Sequence, residues 1–305
     1  MLWVRRLLNA FGKALPSLPA LGQQGCCPAA RINEEPRTTP SAHPASPSFV
    51  HALSGQAEAM PSLNALSRRE RIPEVMDQPG IDPADHARAL AGLRRINALS
   101  RCSASLFAPI AALAARQPDQ PLRVLDLACG GGDTVIDLVL LARRSKLPLI
   151  LEGCDISASA VAIARANAER RGAAARFFQA DALADPLPSG PDGAAPAGYD
   201  VVITSLFLHH LGDHDAEVLL ALMARRARHL VLVNDLIRSP LGYGLAWAGT
   251  RLLSRSWIVH TDGPLSVQGA FQPAEVAAMA DRAGLSGARI QRCWPERYLL
   301  SWSRG

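Results

Sequence analysis

The chain has 305 residues, 49% of them apolar and 19% charged, a length for one large domain or two small ones with a substantial core. Its net charge of +5 is scattered over Arg pairs such as Arg68-Arg69, Arg94-Arg95, Arg143-Arg144 and Arg225-Arg226. Aromatics make up only 5%, so the basic stripe with interleaved aromatics that marks a nucleic-acid surface is missing, and no nucleic-acid partner is expected.

Residues 1–66 differ from the rest. Met1 to Lys13 can form a short amphipathic helix, but Arg5, Arg6 and Lys13 bracket an apolar run too short for a signal peptide. From Pro16 to Pro61 the chain is rich in Pro, Ala, Ser and Gln without a sustained period, and it reads as a disordered extension. Met60 stands just ahead of the change and fits as a translation start. The six cysteines comprise a vicinal pair, Cys26-Cys27, and four scattered residues without C-x-x-C spacing. A zinc framework and disulfides are not implied, and a reducing compartment, the cytoplasm, is expected. No stretch approaches the roughly twenty apolar residues of a transmembrane helix; the apolar run from Leu241 to Leu253 is too short and carries Arg251.

A helical segment is predicted over 67–118. Asp82-Pro83 is an N-cap followed by proline at the first helical position, and Leu90, Leu93, Ile96 and Leu99 recur at helical spacing. A second helix is expected from Ser103 to Arg116, the two forming a lid ahead of the core at 119–305. From Leu122 onward strand and helix alternate. Strands are read at 123–128, 149–155, 175–179, 200–205 and 230–233, with helices at 134–144, from Ser157 to Gly172, and at 213–226. Continuous apolar runs between helices are the pattern of buried parallel strands. Helices near 241–254 and 273–283 follow. Two last strands, near 289–292 and 298–302, make an antiparallel hairpin. The fold class is therefore α/β: a Rossmann-like, seven-stranded, mostly parallel sheet with helices on both faces.

Three successive strand ends present an acid. Strand one runs into Asp126-Leu-Ala-Cys-Gly-Gly-Gly-Asp133, strand two ends in Asp155, and strand three is followed by Ala180-Asp181-Ala182. Glycines at 130–132 let the backbone turn sharply over a helix N-terminus and leave room for a ligand. A carboxylate at Asp155 can accept both hydroxyls of a ribose. The dinucleotide fingerprint G-x-G-x-x-G fails, because Val135 stands where its third glycine belongs. Asp133 would also repel a pyrophosphate, whereas a cationic, amine-bearing cofactor tolerates these acids.

The run Val124-Leu-Asp-Leu-Ala-Cys-Gly-Gly-Gly-Asp133 resembles the first motif of class I S-adenosylmethionine-dependent methyltransferases. Gly153-Cys-Asp-Ile-Ser157 resembles their second motif, Gln179-Ala-Asp-Ala182 their third, and the segment from Tyr199 to Leu211 their fourth. The likeness covers about 120–235, in order and with the family's spacing. One departure is Ala128, where the family usually has glycine. The resemblance implies S-adenosyl-L-methionine as cofactor. It implies that Asp126 and the backbone at Ala128, Gly130 and Gly132 hold the methionine moiety. It further implies Asp155 on the ribose, Ile156 against the adenine, Asp181 and Ala182 at the adenine edge, and Ser205 and Leu206 beside the sulfonium. From the residues alone, Asp126 could instead cap the glycine turn, and Asp181 could be a turn former.

The acceptor side carries less pattern. No Asn/Asp-Pro-Pro-aromatic motif follows strand four, which argues against adenine and glutamine methylation. His209 and His210 stand where relatives often place substrate-facing side chains, and a neutral imidazole can take a proton from a phenol. Neighbours on a helix point about 100° apart, so one of the two faces the methyl. His209 is preferred; the alternative is that both pack or cap. His260, with Asp262, is expected in a loop returning over the site and is the next candidate base. No metal is assigned: His210 and His214 share helical spacing with Asp213 and Asp215 nearby, but a third ligand is not evident. The chain resembles a bacterial small-molecule branch akin to quinone biosynthesis, which implies O-methylation, with C-methylation as the lesser alternative, of a phenolic, quinol-like or lipid-like acceptor. The alternatives are an RNA or protein methyltransferase and a non-catalytic cofactor-binding protein. The oligomeric state is open.

Overall fold

In the computed structural model the described residues are 66–78, 80–118, 120–184 and 198–304. The expected disorder up to residue 65, the start at Met60 and most of the Pro/Gly-rich loop after strand three lie outside them. All described residues belong to one unit, Thr39–Arg304. A 3-10 turn at Val75–Asp77 precedes α1 (Pro83–Leu99) and α2 (Cys102–Ala114). The alternating part is β1 (Leu122–Leu127), α3 (Asp133–Ser145), β2 (Leu149–Asp155), α4 (Ala158–Arg171), β3 (Arg176–Gln179), β4 (Tyr199–Ser205), a 3-10 turn (Leu208–His210), α5 (Asp213–Arg226) and β5 (Ala227–Leu236). Then come α6 (Pro240–Leu253), α7 (Trp257–Gly269), α8 (Pro273–Arg282), β6 (Arg289–Cys293) and β7 (Arg297–Ser303).

The seven strands form one sheet in the order β3-β2-β1-β4-β5-β7-β6. β1 pairs in parallel with β2 and β4, β2 with β3, and β4 with β5. β7 runs antiparallel to both β5 and β6, as the predicted hairpin requires. One face carries α2, α3 and α4 through Leu106, Ile110, Val135, Leu138, Val161 and Ala164; the other carries α5 and α8 through Leu219, Met223, Val276 and Met279. The fold class read from the sequence is the one observed. Within it, α2 buries Leu106 and Ile110 in the same cluster as α3 and α4, so it helps to cover that face of the sheet.

Local chemistry explains several element ends. The Asp82 carboxylate accepts from the N–H groups of Ala84 and Asp85 and caps α1. Ser157 accepts from Ala160 N–H and caps α4, which stops at Gly172 with φ +58°. No single helix among the described residues is long and apolar enough to cross a membrane, and α1 and α2 are bent 57° from each other.

One expectation fails. Residues 259–264 are not a loop but lie within α7, despite Gly263-Pro264. Packing overrides the breakers: a Cβ on Gly263 would lie 2.4 Å from the Thr250 methyl of α6, so the close α6–α7 approach needs a glycine there. Ile258, Val259, Leu265 and Val267 are buried on the same helix.

Close packing also fixes the glycine turn after β1. Gly132 has φ +78°, and a Cβ there would meet the Phe177 ring at 2.8 Å and the Ala164 Cβ at 2.9 Å. Gly130 has φ +51° with nothing within 4 Å of its would-be Cβ. Gly132→Ala is expected to cost about 2–5 kcal/mol from overpacking plus the left-handed backbone. Gly130→Ala is expected to cost about 1–2 kcal/mol from the backbone alone. Equilibrium urea unfolding of the two variants checks the difference.

Candidate active site

Parallel pairing brings the carboxyl ends of β1, β2, β4 and β5 to one edge of the sheet, where ligands bind in folds of this kind. Asp126, the fifth residue of β1, is only 2% exposed, and its Oδ1 has no hydrogen-bond partner. Burial, reinforced by the charge of Asp155, pushes its carboxyl well above the usual carboxylate range. A buried carboxylate oxygen without a partner is costly, and it is satisfied by a ligand that brings donors. Asp155 Oδ2 accepts from Gly130 N–H at 2.8 Å and Oδ1 from Ser157 N–H at 2.9 Å, so this carboxylate ties the glycine turn to the end of β2. Next to it, Ile156 is 67% exposed, an apolar plate facing solvent. Asp181 is exposed and its Oδ1 accepts from Leu183 N–H at 2.8 Å, the turn-forming role; Ala182 is buried in the core.

Two non-glycine residues at this edge sit in left-handed backbone: Ala128 and Leu206, both at φ 56°. Each costs about 1–2 kcal/mol, a strain that concentrates at functional sites. Leu206 N–H donates to the Asn234 carbonyl at 2.9 Å, which holds the turn after β4 against β5.

At the end of β5 the period-two alternation sends Asn234 and Asp235 to opposite sides. Toward α2, Cys102 Sγ lies 3.0 Å from both Ser205 Oγ and Asn234 Oδ1, and Asn234 Nδ2 donates to Ser105 Oγ. Arg297 is paired in register with Leu236 and is 3% exposed; its Nη2 donates to Asn97 Oδ1, while Nε and Nη1 have no hydrogen-bond partner. On the other side, Asp235 accepts from His209 N–H at 3.1 Å, and its Oδ1 is 2.6 Å from His209 Nδ1.

His209 is 4% exposed, with Nε2 3.7 Å from Glu74 Oε1. Burial opposes its charge, but Asp235 and Glu74 outweigh burial and push the imidazole up to about 10. Both ring nitrogens face carboxylates, which favour the protonated form. The expected neutral base thus sits in a setting that favours the charged ring over the neutral one. The expected divergence of the two histidines is corrected. They lie in a 3-10 turn with ring centroids 4.2 Å apart, and His210 Nδ1 is 3.0 Å from Asp77 Oδ2. His260 is not brought to this site. It lies in the first turn of α7, and its Nε2 donates to the Ser254 carbonyl at 2.9 Å. His214 is exposed and does not join His210.

Sequence reasoning missed Glu74, Asp77, Cys102, Asp235 and Arg297. Asn234-Asp235 at the end of a predicted strand was the available signal for one of them. Glu74 carries none locally, because its role arises where residues 66–78 meet the core. Arg69 donates to the carbonyls of His209, Leu211 and Gly269, Arg238 Nε to that of Leu66, and Asp262 accepts from Val75 and Met76 N–H. Burial and the charge of Glu74 push the Asp262 carboxyl up to about 8.

Residues 124–229 match the model of a family described as "Methyltransferase domain". Over this segment the chain is similar to that family. Over 95 residues, 31% of this chain and 38% of the relative, the sequence is 36% identical to a demethylmenaquinone methyltransferase of Thermus thermophilus. Over 171 residues, 55% of this chain and 62% of the relative, it is 25% identical to a ubiquinone biosynthesis O-methyltransferase of Ruegeria sp.. The chain thus spans less than two thirds of the length of these relatives. The solved structure of the S-adenosylmethionine-dependent methyltransferase SibL, in its apo form, superposes with a TM-score of 0.52 at 18% identity, covering 83% of this chain and 68% of that one. At this identity the likeness is one of fold.

Because Asp155 satisfies two backbone donors, Asp155→Ala is expected to destabilise the domain by about 1–3 kcal/mol in the absence of any ligand. Equilibrium unfolding of ligand-free protein measures this, separately from any effect on binding.

Proposed function

We propose that this chain moves a methyl group from S-adenosylmethionine to an oxygen of a small phenolic, quinol-like or lipid-like acceptor. The unpartnered, buried Oδ1 of Asp126 beside the open glycine turn carries the cofactor half of this reading. An α-ammonium group supplies the donors that this oxygen lacks. The backbone at Ala128, Gly130 and Gly132 lines the same turn, Asp155 is set to accept from ribose hydroxyls, and exposed Ile156 offers a surface for adenine. Asp181 and Ala182 are assigned to the adenine edge, and Ser205 and Leu206 to the neighbourhood of the sulfonium. The cofactor supplies an electrophilic methyl, and the residues here hold and orient both partners for in-line attack.

For the acceptor, the likeness to a ubiquinone biosynthesis O-methyltransferase favours a quinol-like oxygen, and Arg297 adds a physical reason. A buried guanidinium with two unpartnered nitrogens at the ligand edge favours an acceptor bearing an acidic or ionised oxygen. His209, whose carboxylate neighbours favour its protonated form, is assigned to positioning rather than deprotonation.

Two measurements test this reading. Binding of S-adenosylhomocysteine, followed by calorimetry, is expected to release protons, since its ammonium favours the ionised form of Asp126. Affinity should rise as pH climbs from about 3.9, the ordinary aspartate value, through the raised value of Asp126, and then level off. Asp126→Asn should bind more weakly and without this rise. NADH should not bind. A rise that persists in Asp126→Asn removes the ammonium assignment.

The second is a screen of phenolic and quinol-like acceptors with methyl-labelled cofactor. Methyl transfer is expected, and Arg297→Met should raise KM for the more acidic acceptors while leaving S-adenosylhomocysteine affinity unchanged. His209→Ala should slow acidic and weakly acidic phenols by the same factor. A selective loss on the weakly acidic ones would restore His209 as the base. No transfer to any acceptor, with cofactor binding intact, would leave a non-catalytic binding protein.

A further inference from the structure

A small pocket lies between residues 71–77 and the 3-10 turn after β4, lined by Arg71, Glu74, Asp77, His209, His210 and Ser266 among others. Glu74 Oε1 is 3.7 Å from His209 Nε2 and 4.0 Å from His210 Nδ1, and one ligand atom from each of the three residues lies within 4.8 Å of the others. Donors that share one first-row dication at about 2.0–2.2 Å stand no more than about 4.4 Å apart, a limit that both Glu74 distances meet. Asp77 Oδ2, 3.0 Å from His210 Nδ1, is placed to supply a fourth donor.

The surroundings hold these donors in place. Asp235 occupies His209 Nδ1 at 2.6 Å, which turns Nε2 toward the pocket. That is the carboxylate–histidine arrangement by which proteins orient a ligating imidazole. Ser266 Oγ donates to Glu74 Oε1 at 2.5 Å and fixes that carboxylate. Four acids converge here, Glu74, Asp77, Asp235 and Asp262, with Arg71 the guanidinium lining the pocket. A dication relieves this concentration of negative charge. Two imidazoles and one or two carboxylates suit zinc and its first-row neighbours better than the all-oxygen preference of magnesium or calcium.

We propose that Glu74, His209 and His210, with Asp77 completing the set, bind one divalent first-row transition-metal ion. The ion ties the segment at 66–78 to the turn after β4. The set differs from the His210–His214 spacing visible in the sequence, because Glu74 arrives from a distant part of the chain.

The test is zinc binding to the full chain after stripping with EDTA, followed by calorimetry and metal analysis. One ion per chain is expected, with a rise in Tm on addition of zinc. Glu74→Gln and His210→Ala are each expected to weaken binding at least tenfold, and Asp235→Asn, which only orients His209, about 10–100-fold. His214→Ala, an exposed neighbour on α5, should leave it unchanged. Cobalt added in place of zinc should give visible d–d bands that Glu74→Gln alters. S-adenosylhomocysteine binding by each variant shows that it has folded and keeps failure of the cofactor reading distinct. No zinc held by the wild-type chain, or equal affinity in a Glu74→Gln/His210→Ala double variant, overturns the proposal.

Discussion

The parallel ladder through β1 is the constraint on which the rest of this structure depends. Because β1 pairs in parallel with β2 and β4, and β4 with β5, the carboxyl ends of these strands come to one edge. Backbone hydrogen bonds thereby place Asp126, Asp155, Leu206 and Asn234 side by side, although they come from distant parts of the chain. The glycine turn after β1 is pinned by contact with Phe177 and Ala164, so the backbone above it stays open while the helix below packs tightly. A site forms where packing is complete underneath and left unfinished on top.

Desolvated charge is concentrated along that edge. Asp126 is buried without a partner for one oxygen, Asp262 is pushed up to about 8, and Arg297 keeps two nitrogens without partners. Such groups oppose folding, because removing a charge from water is repaid only by a partner of good geometry. His209 and Asp235 are repaid in this way, each holding the other in its charged form. Asp126 and Arg297 are not, and both lie where a ligand is expected. The strained backbone at Ala128 and Leu206 lies at the same edge. Stability is spent here on groups ready to meet a ligand.

Residues 66–78 give the site its remaining wall. They are held by charge-assisted and backbone bonds from Arg69, Arg238 and Asp262, and by Leu66, Ile72, Val75 and Met76 in two small apolar clusters. Val75 is the buried apolar anchor of the 3-10 turn, packed with Ile258 and Val259 of α7. This arrangement makes the wall depend on polar groups that respond to charge, and it brings Glu74 and Asp77 against the histidines of the core.

The sequence by itself determined the alternating α/β order, the central strands, the caps at Asp82 and Ser157, and the acids at the ends of β1 and β2. All of these follow from local periodicity and from residues whose backbone preferences act over a few positions. It did not determine that 259–264 is helical, since Gly263-Pro264 reads as a break and only close packing against Thr250 explains the glycine. Nor did it determine the state of His209. A histidine's charge depends on the field of its neighbours, and Asp235 and Glu74 reach it from another strand and from a segment far upstream. The unpartnered nitrogens of Arg297 were hidden for the same reason. Burial and pairing are properties of the assembled edge, whereas the sequence specifies only which groups the strands deliver to it.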